Sequence, residues 1–223
     1  MNVLINQPAG LGDILFCQKI AHVAALKGDT VFWPLNPVLN YVPTYVSSPV
    51  NWSCPNKADC IWDLQNASNL VLSTGDVMAD KYALIGLPFD DWKSYVKIIW
   101  PPALPEDVRD FVHQFREYNC MVRTFGTPPW TYYTDFAIDN GLPTYEIRIQ
   151  DKTPFDYCYI ISNATELHFV DTCFTHIAEL IETKARRMCL YPRKPIVQRG
   201  MNFNYDITIK TKSLWSKPWE YME

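Results

Sequence analysis

The chain opens with a short apolar run, Asn2-Val3-Leu4-Ile5, followed by the turn formers Asn6-Gln7-Pro8-Ala9-Gly10-Leu11-Gly12. From Asp13 the apolar positions change their spacing. Ile14, Leu15, Cys17, Ile20, Ala21, Ala24 and Ala25 recur at helical intervals and stop at Lys27-Gly28, a helix C-terminal signal. Val31-Phe32-Trp33 is again a run of strand formers. Strand, glycine loop, helix and strand make a βαβ unit, which belongs to parallel sheets with crossover helices. The pattern predicts an α/β fold and puts the first loop at the carboxyl ends of the strands, where ligands of such sheets bind.

Beyond Pro34 the chain is rich in Pro, Asn and Tyr as far as Pro49 and reads as loop with a short helix or two. Residues 60–64, 69–72 and 81–86 read as short strands, and residues 91–96 as the start of a helix. The least regular stretch, Trp100-Pro101-Pro102-Ala103-Leu104-Pro105, predicts the boundary between domains at 1–104 and 105–200.

The second half repeats the opening logic. Residues 106–116 put Val108, Phe111, Val112 and Phe115 on one helical face. Cys120-Met121-Val122 is a strand, and the loop from Arg123-Thr124 to Pro128-Pro129 lies at its end. Residues 145–149 alternate as a strand does, and Thr153-Pro154 opens a helix with proline at its first position. Leu167-His168-Phe169-Val170 and Met188-Cys189-Leu190-Tyr191 are strands, with a helix through Phe174, Ile177, Ala178 and Ile181 between them. The tail, residues 201–223, carries Phe203, Tyr205, Trp215, Trp219 and Tyr221, and is expected to pack back on the body rather than stand in water.

With 48% hydrophobic residues in 223, there is ample material for packed cores. The net charge of −4 gives no overall basic field for nucleic acid or an anionic membrane. No run is long and apolar enough for a membrane span, and Gln7-Pro8 breaks any signal-peptide pattern, so the expectation is a soluble, cytoplasmic protein. The 7 cysteines are odd in number and lie mostly in apolar runs, which suits buried thiols in a reducing compartment. There is no C-x-x-C pair, so no zinc site is expected. The N-x-Ser/Thr triplets at Asn51, Asn66 and Asn163 read as chance in such a chain.

Two loops carry candidate chemistry. Gly10-Leu11-Gly12-Asp13 lacks the dinucleotide fingerprint, because Leu15 stands at the third glycine and no carboxylate follows Val31-Phe32-Trp33-Pro34-Leu35; it also lacks the Lys-Ser/Thr of a phosphate loop. What remains is a loop able to approach a ligand and one acid in the first turn of a helix. Asp13 is then either a residue favoured by the helix dipole or a functional acid. The second loop, Val170-Asp171-Thr172-Cys173, leads into a helix whose start is a natural diphosphate seat, with His176 one turn in. Lys184, Arg186 and Arg187 read as a solvated helix end, and His22 and His113 as ordinary helix residues. A Cys173 nucleophile paired with His176 lacks an orienting third partner. Trp130, Tyr132 and Tyr133 either stack on a base or sugar ring or pack in the core.

On these residues the chain resembles the heptosyltransferase-type glycosyltransferases of the GT-B class. Their first loop reads G-D before an apolar helix, matched by Gly12-Asp13 after Gly10-Leu11. Their D-[ST]-G-x-x-H-[LIA]-A signature is matched by Asp171, Thr172, His176, Ile177 and Ala178, with Cys173 where the family has glycine. The chain is shorter than usual members, so its middle is pared down. The resemblance implies two small Rossmann-like parallel-sheet domains facing across a cleft, the first on the acceptor side and the second holding a nucleotide sugar. It implies inverting transfer with Asp13 as general base, and a diphosphate stabilised by Arg123, Thr124 and the helix start after Cys173. No cofactor is implied, and no metal, which agrees with the absence of any D-x-D triplet. The acceptor is a glycan or lipid-linked sugar in a bacterial protein, or a hydroxymethylated base in DNA in a viral one acting in the host cytoplasm. Two other readings stand beside it: a non-catalytic nucleotide-sugar-binding module, motivated by the short middle and Cys173, and a sugar-nucleotide epimerase.

Overall fold

The opening apolar run forms the strand Asn2–Ile5, which sits between Thr30–Phe32 and Cys60–Trp62, with Val50–Asn51 at the far edge. All three pairings are parallel. Alternation sends Val3, Ile5 and Val31 into the core, while their neighbours Leu4 and Phe32 are half-buried on the other face and Ile61 is exposed. The computed structural model describes residues 1–70, 77–127, 130–148, 152–193, 197–198, 201–202 and 215–222. They divide into two compact units, Met1–Ile99 and Trp100–Glu223.

In the first unit the predicted long helix is two: Leu11–Phe16 and Gln18–Leu26, with Cys17 between them at φ −83°, ψ 3°. Its apolar positions, from Ile14 to Ala24, are buried as the spacing requires. Gly28, at φ 86°, ends it: the Gly28 N–H bonds Ala25 O at 3.0 Å and the Asp29 N–H bonds Ala24 O at 3.1 Å, the paired closure of a glycine-capped helix.

Among the described residues, the strands expected at 69–72 and 81–86 are replaced by helix at 69–70 and 81–83. Ala67–Leu70 and Val77–Ala83 are helices, and residues 71–76 lie outside the described residues. Asp80, Lys81 and Tyr82 are buried in succession, which a strand half-covered by a core does not allow but a helix wrapped in other elements does. Tyr82 settles the matter: its ring meets Phe16 edge-on at 4.8 Å and its hydroxyl donates to Phe16 O at 2.5 Å. Trp92 also meets Phe16 edge-on, at 5.3 Å, and belongs to a single 3-10 turn, Trp92–Tyr95, in place of the predicted helix.

The second unit is built on a five-stranded sheet in the order Thr144–Glu146, Asn119–Val122, Glu166–Val170, Arg187–Tyr191, Trp219–Tyr221, parallel throughout. Its helices are Glu106–Gln114, Cys158–Asn163 (entered through the 3-10 turn Pro154–Tyr157) and Cys173–Leu180. Arg187, read from the sequence as part of a helix end, is the first residue of a strand and pairs with Glu220 at 2.8 Å.

The terminal segment supplies the last strand of this sheet. It is pinned by Glu179, whose carboxylate accepts from the Ser216 N–H at 3.2 Å, the Ser216 hydroxyl at 3.1 Å, the Lys217 N–H at 3.1 Å and the Trp219 indole at 2.8 Å. Lys217 Nζ donates to Ala178 O and Ile181 O at the end of the same helix, where a cation complements the dipole. Phe203 and Tyr205 lie outside the described residues. Both units are thus α/β with parallel sheets, as the opening pattern predicts. Among the described residues no helix is long and apolar enough to cross a membrane.

Candidate functional site

The strand Asn2–Ile5 runs out into a loop that turns at Gly10, φ 80°, directly before the helix Leu11–Phe16. Leu11 and Gly12 are buried in the first turn, and Asp13 is its acidic residue. The Asp13 side chain folds back over Gly10: Oδ2 lies 2.3 Å from where a β-carbon on Gly10 would stand. Oδ1 is 3.1 Å from Lys81 Nζ, in an ion pair whose lysine is 2% exposed and whose aspartate is 31% exposed. Among the described residues no hydrogen bond is made to Oδ2. One oxygen is therefore anchored, and the other has no hydrogen-bond partner among the described residues.

The anchor is itself held. Lys81 Nζ also donates to Gln7 Oε1 and, at 2.9 Å, to Leu64 O. Gln7 Nε2 donates to Ala9 O at 2.6 Å, and Gln7 O accepts from the Trp33 indole at 2.9 Å. The loop is thereby tied to strand ends on both sides of it. Behind Asp13, burial pushes the Cys17 thiol well above its ordinary range, with Lys81 pulling down and Asp13 adding to the rise, so Cys17 is a neutral core thiol at physiological pH.

The second cluster follows the strand Glu166–Val170. Thr172 caps the helix Cys173–Leu180: its hydroxyl accepts from the Phe174 N–H at 3.2 Å, and Thr175 Oγ1 accepts from the Thr172 N–H at 3.4 Å. Arg193 reaches back to this turn and donates from Nε to Asp171 O at 2.6 Å, with its guanidinium 5.5 Å above the Phe125 ring. Burial pushes the Cys173 thiol up to about 12 against the opposing charge of Arg193, which leaves it protonated at neutral pH. His176 lies one turn in, with Nδ1 3.2 Å from Thr172 O, and is buried edge-on against Trp215 at 4.8 Å.

Arg123 leaves the end of the adjacent strand, Asn119–Val122. It donates to the Tyr133 hydroxyl at 2.5 Å and stands 5.3 Å over the Phe136 ring, which stacks on Tyr191 at 3.7 Å. Thr124 begins the strand Thr124–Thr127, the first arm of a hairpin with Trp130–Tyr133, opposite Tyr133.

The structure thus gathers Asp171, Thr172, Cys173 and His176 at one helix start, and puts Arg123 and Thr124 at the end of the neighbouring strand. Gly10, Leu11, Gly12 and Asp13 form the loop of the other unit. Sequence reasoning missed Lys81, Arg193 and Trp215. Arg193 carried a usable signal: it stands two residues past a predicted strand, at the ligand-binding end of a parallel sheet. Lys81 carried none, because a lysine beside Tyr82-Ala83-Leu84-Ile85 reads as solvated. Among the described residues no cluster of three His, Cys, Asp or Glu side chains is arranged to hold a metal.

No protein-family model matches the chain, and no curated protein matches it in sequence. Among solved structures it is similar to the E. coli heptosyltransferase WaaC with ADP-2-deoxy-2-fluoro heptose, at TM-score 0.48 and 12% identity over 91% of each chain. It is also similar to WaaC with ADP, at TM-score 0.44 and 10% identity over 86% of this chain and 87% of that one. A third is the iron-containing dodecameric glycosyltransferase TibC from enterotoxigenic E. coli, at TM-score 0.49 and 10% identity, of which the chain spans 59%.

Proposed function

We propose that this chain is a glycosyltransferase that moves a sugar from a nucleotide-sugar donor to an acceptor hydroxyl, with inversion, without a metal and with Asp13 as general base. The observation that carries the reading is the asymmetry of Asp13: Oδ1 bound to a buried lysine, Oδ2 unengaged among the described residues, in the glycine loop at the carboxyl end of a parallel sheet. A carboxylate so held is a sufficient base when proton transfer accompanies attack. The acceptor oxygen bonds to the anomeric carbon on the face opposite the leaving group. Its proton passes to Asp13 Oδ2, and the bond to the diphosphate breaks with its electron pair on the diphosphate oxygen.

On the donor side, Arg123, Thr124, Arg193 and the start of the helix Cys173–Leu180 supply cations and donors for the charge that grows on the diphosphate. Asp171 and His176 serve as positioning groups beside it. The nucleotide sugar is substrate, and no cofactor enters. The acceptor in this reading is a glycan or lipid-linked sugar; a modified DNA base is the variant to test beside it.

One observation favours a binding module that does not transfer. The Phe174 amide is already bonded to Thr172, and Cys173 stands as the first helical residue where the resembled family has glycine. Binding by calorimetry against nucleoside diphosphates and their sugars, followed by mass spectrometry of sugar transfer, separates the two. The expected result is nucleotide binding and EDTA-insensitive turnover in the native chain, with binding retained and transfer abolished in Asp13→Asn. Normal turnover in that variant defeats the proposed mechanism, and binding without turnover by the native chain favours the module.

A further inference from the structure

We infer that Lys81 is a positioning residue for Asp13, fixing which carboxylate oxygen receives the acceptor proton; this rests on the glycosyltransferase reading above. A lysine is among the side chains least often buried, and an unbranched methionine fills nearly the same space at no electrostatic cost. Lys81 is nonetheless 2% exposed. Its ammonium has three protons and meets three acceptors: Asp13 Oδ1, Gln7 Oε1 and Leu64 O. They come from the helix start, the loop before it and the segment after the strand Cys60–Trp62. Two of the three are neutral groups fixed by the fold, so they set where the ammonium sits, and the ammonium then sets where Oδ1 sits.

Gly10 completes the arrangement. Because position 10 has no β-carbon, Oδ2 settles against its α-carbon, at a place a side chain would occupy. The carboxylate is thereby held in rotation as well as in position. The arrangement also suits the proton balance of transfer. When Oδ2 takes the acceptor proton, Oδ1 keeps its bond from Lys81, and the cation retains all three oxygen acceptors rather than being stranded. The lysine touches no reacting atom in this account; it acts through Asp13.

Lys81→Met, which keeps an unbranched side chain one atom shorter and without charge, tests this. Steady-state kinetics on the native chain and the variant are expected to show kcat reduced about 10²-fold with the donor KM unchanged, the mark of misplaced chemistry rather than lost binding. A merely structural lysine would lower the folded fraction but leave kcat per folded molecule alone.

A second readout does not need activity. Urea unfolding of the native chain, Lys81→Met, Asp13→Asn and the double variant is expected to show unfolding constants that fail to multiply by about 10-fold or more. Native kcat in Lys81→Met, or unfolding constants that multiply, overturns the inference. If the native chain transfers no sugar from any donor, the proposed function falls, and the unfolding cycle alone decides whether Lys81 holds Asp13.

Discussion

Replacing Gly10 by alanine separates two costs that the first loop combines. At φ 80° an L side chain pays for the left-handed region, roughly 1–2 kcal/mol. The new β-carbon would also stand 2.3 Å from Asp13 Oδ2 and 3.2 Å from its Cγ, far inside contact distance. A free surface carboxylate would swing away at small cost. This one has Oδ1 bound to Lys81, so movement of Oδ2 breaks the ion pair or turns the acid out of place. Gly28 is the control: its φ is 86°, and nothing lies within 4 Å of a β-carbon built on it. Gly28→Ala is therefore expected to lose only the backbone term, about 1–2 kcal/mol by urea unfolding, and to keep full transfer. If Asp13 is the base proposed above, Gly10→Ala is expected to lose at least as much stability and about 10²-fold in kcat, the effect of displacing that base by an ångström. If the two variants behave alike in both assays, the carboxylate does not lie over Gly10 and the reasoning about Asp13 is wrong.

Glu179→Ala removes, at a buried site, the carboxylate that accepts from the Ser216 N–H and hydroxyl, the Lys217 N–H and the Trp219 indole. A loss of roughly 3 kcal/mol is expected. Limited proteolysis should cut near residues 215–222 before the rest of the second unit, and equal resistance to the native chain would refute this. Burial lowers the pKa of His168 below its ordinary 6.5, against the opposing pull of Glu166. The unfolded chain then binds the proton more readily, so the stability this group contributes is complete above pH 6.5 and is lost as pH falls toward the folded value. Unfolding free energies from urea titrations between pH 7.5 and 5 should fall, by up to about 1.4 kcal/mol per pH unit from this one group, and His168→Gln should flatten that slope.

The opening βαβ unit was legible because each of its parts is local: an apolar run, a glycine turn, helical spacing and a glycine stop, all within the first thirty-odd residues. The core strands of the second unit were legible for the same reason, since Leu167 to Val170 and Met188 to Tyr191 are short apolar runs between polar turns. The helix Val77–Ala83 was not. Its burial comes from Phe16 and Gln7, far away in sequence, and tertiary surroundings decided its form over the strand-like run from Tyr82 to Ile85. The candidate site divides in the same way. Asp13, Thr172 and His176 stand in recognisable motifs, whereas the groups that hold or cover them, Lys81, Arg193 and Trp215, become visible only when distant segments meet.

The loop from Asn6 to Asp13 is accordingly not a portable cassette. Grafted onto another parallel-sheet scaffold, it would carry the acid without the ammonium that orients it or the backbone carbonyl that orients the ammonium. Three separate pieces of chain would have to travel together. Conversely, exchanging the helix Val77–Ala83 alone would take away the ammonium beside Oδ1 while leaving every residue of the acid's own motif untouched.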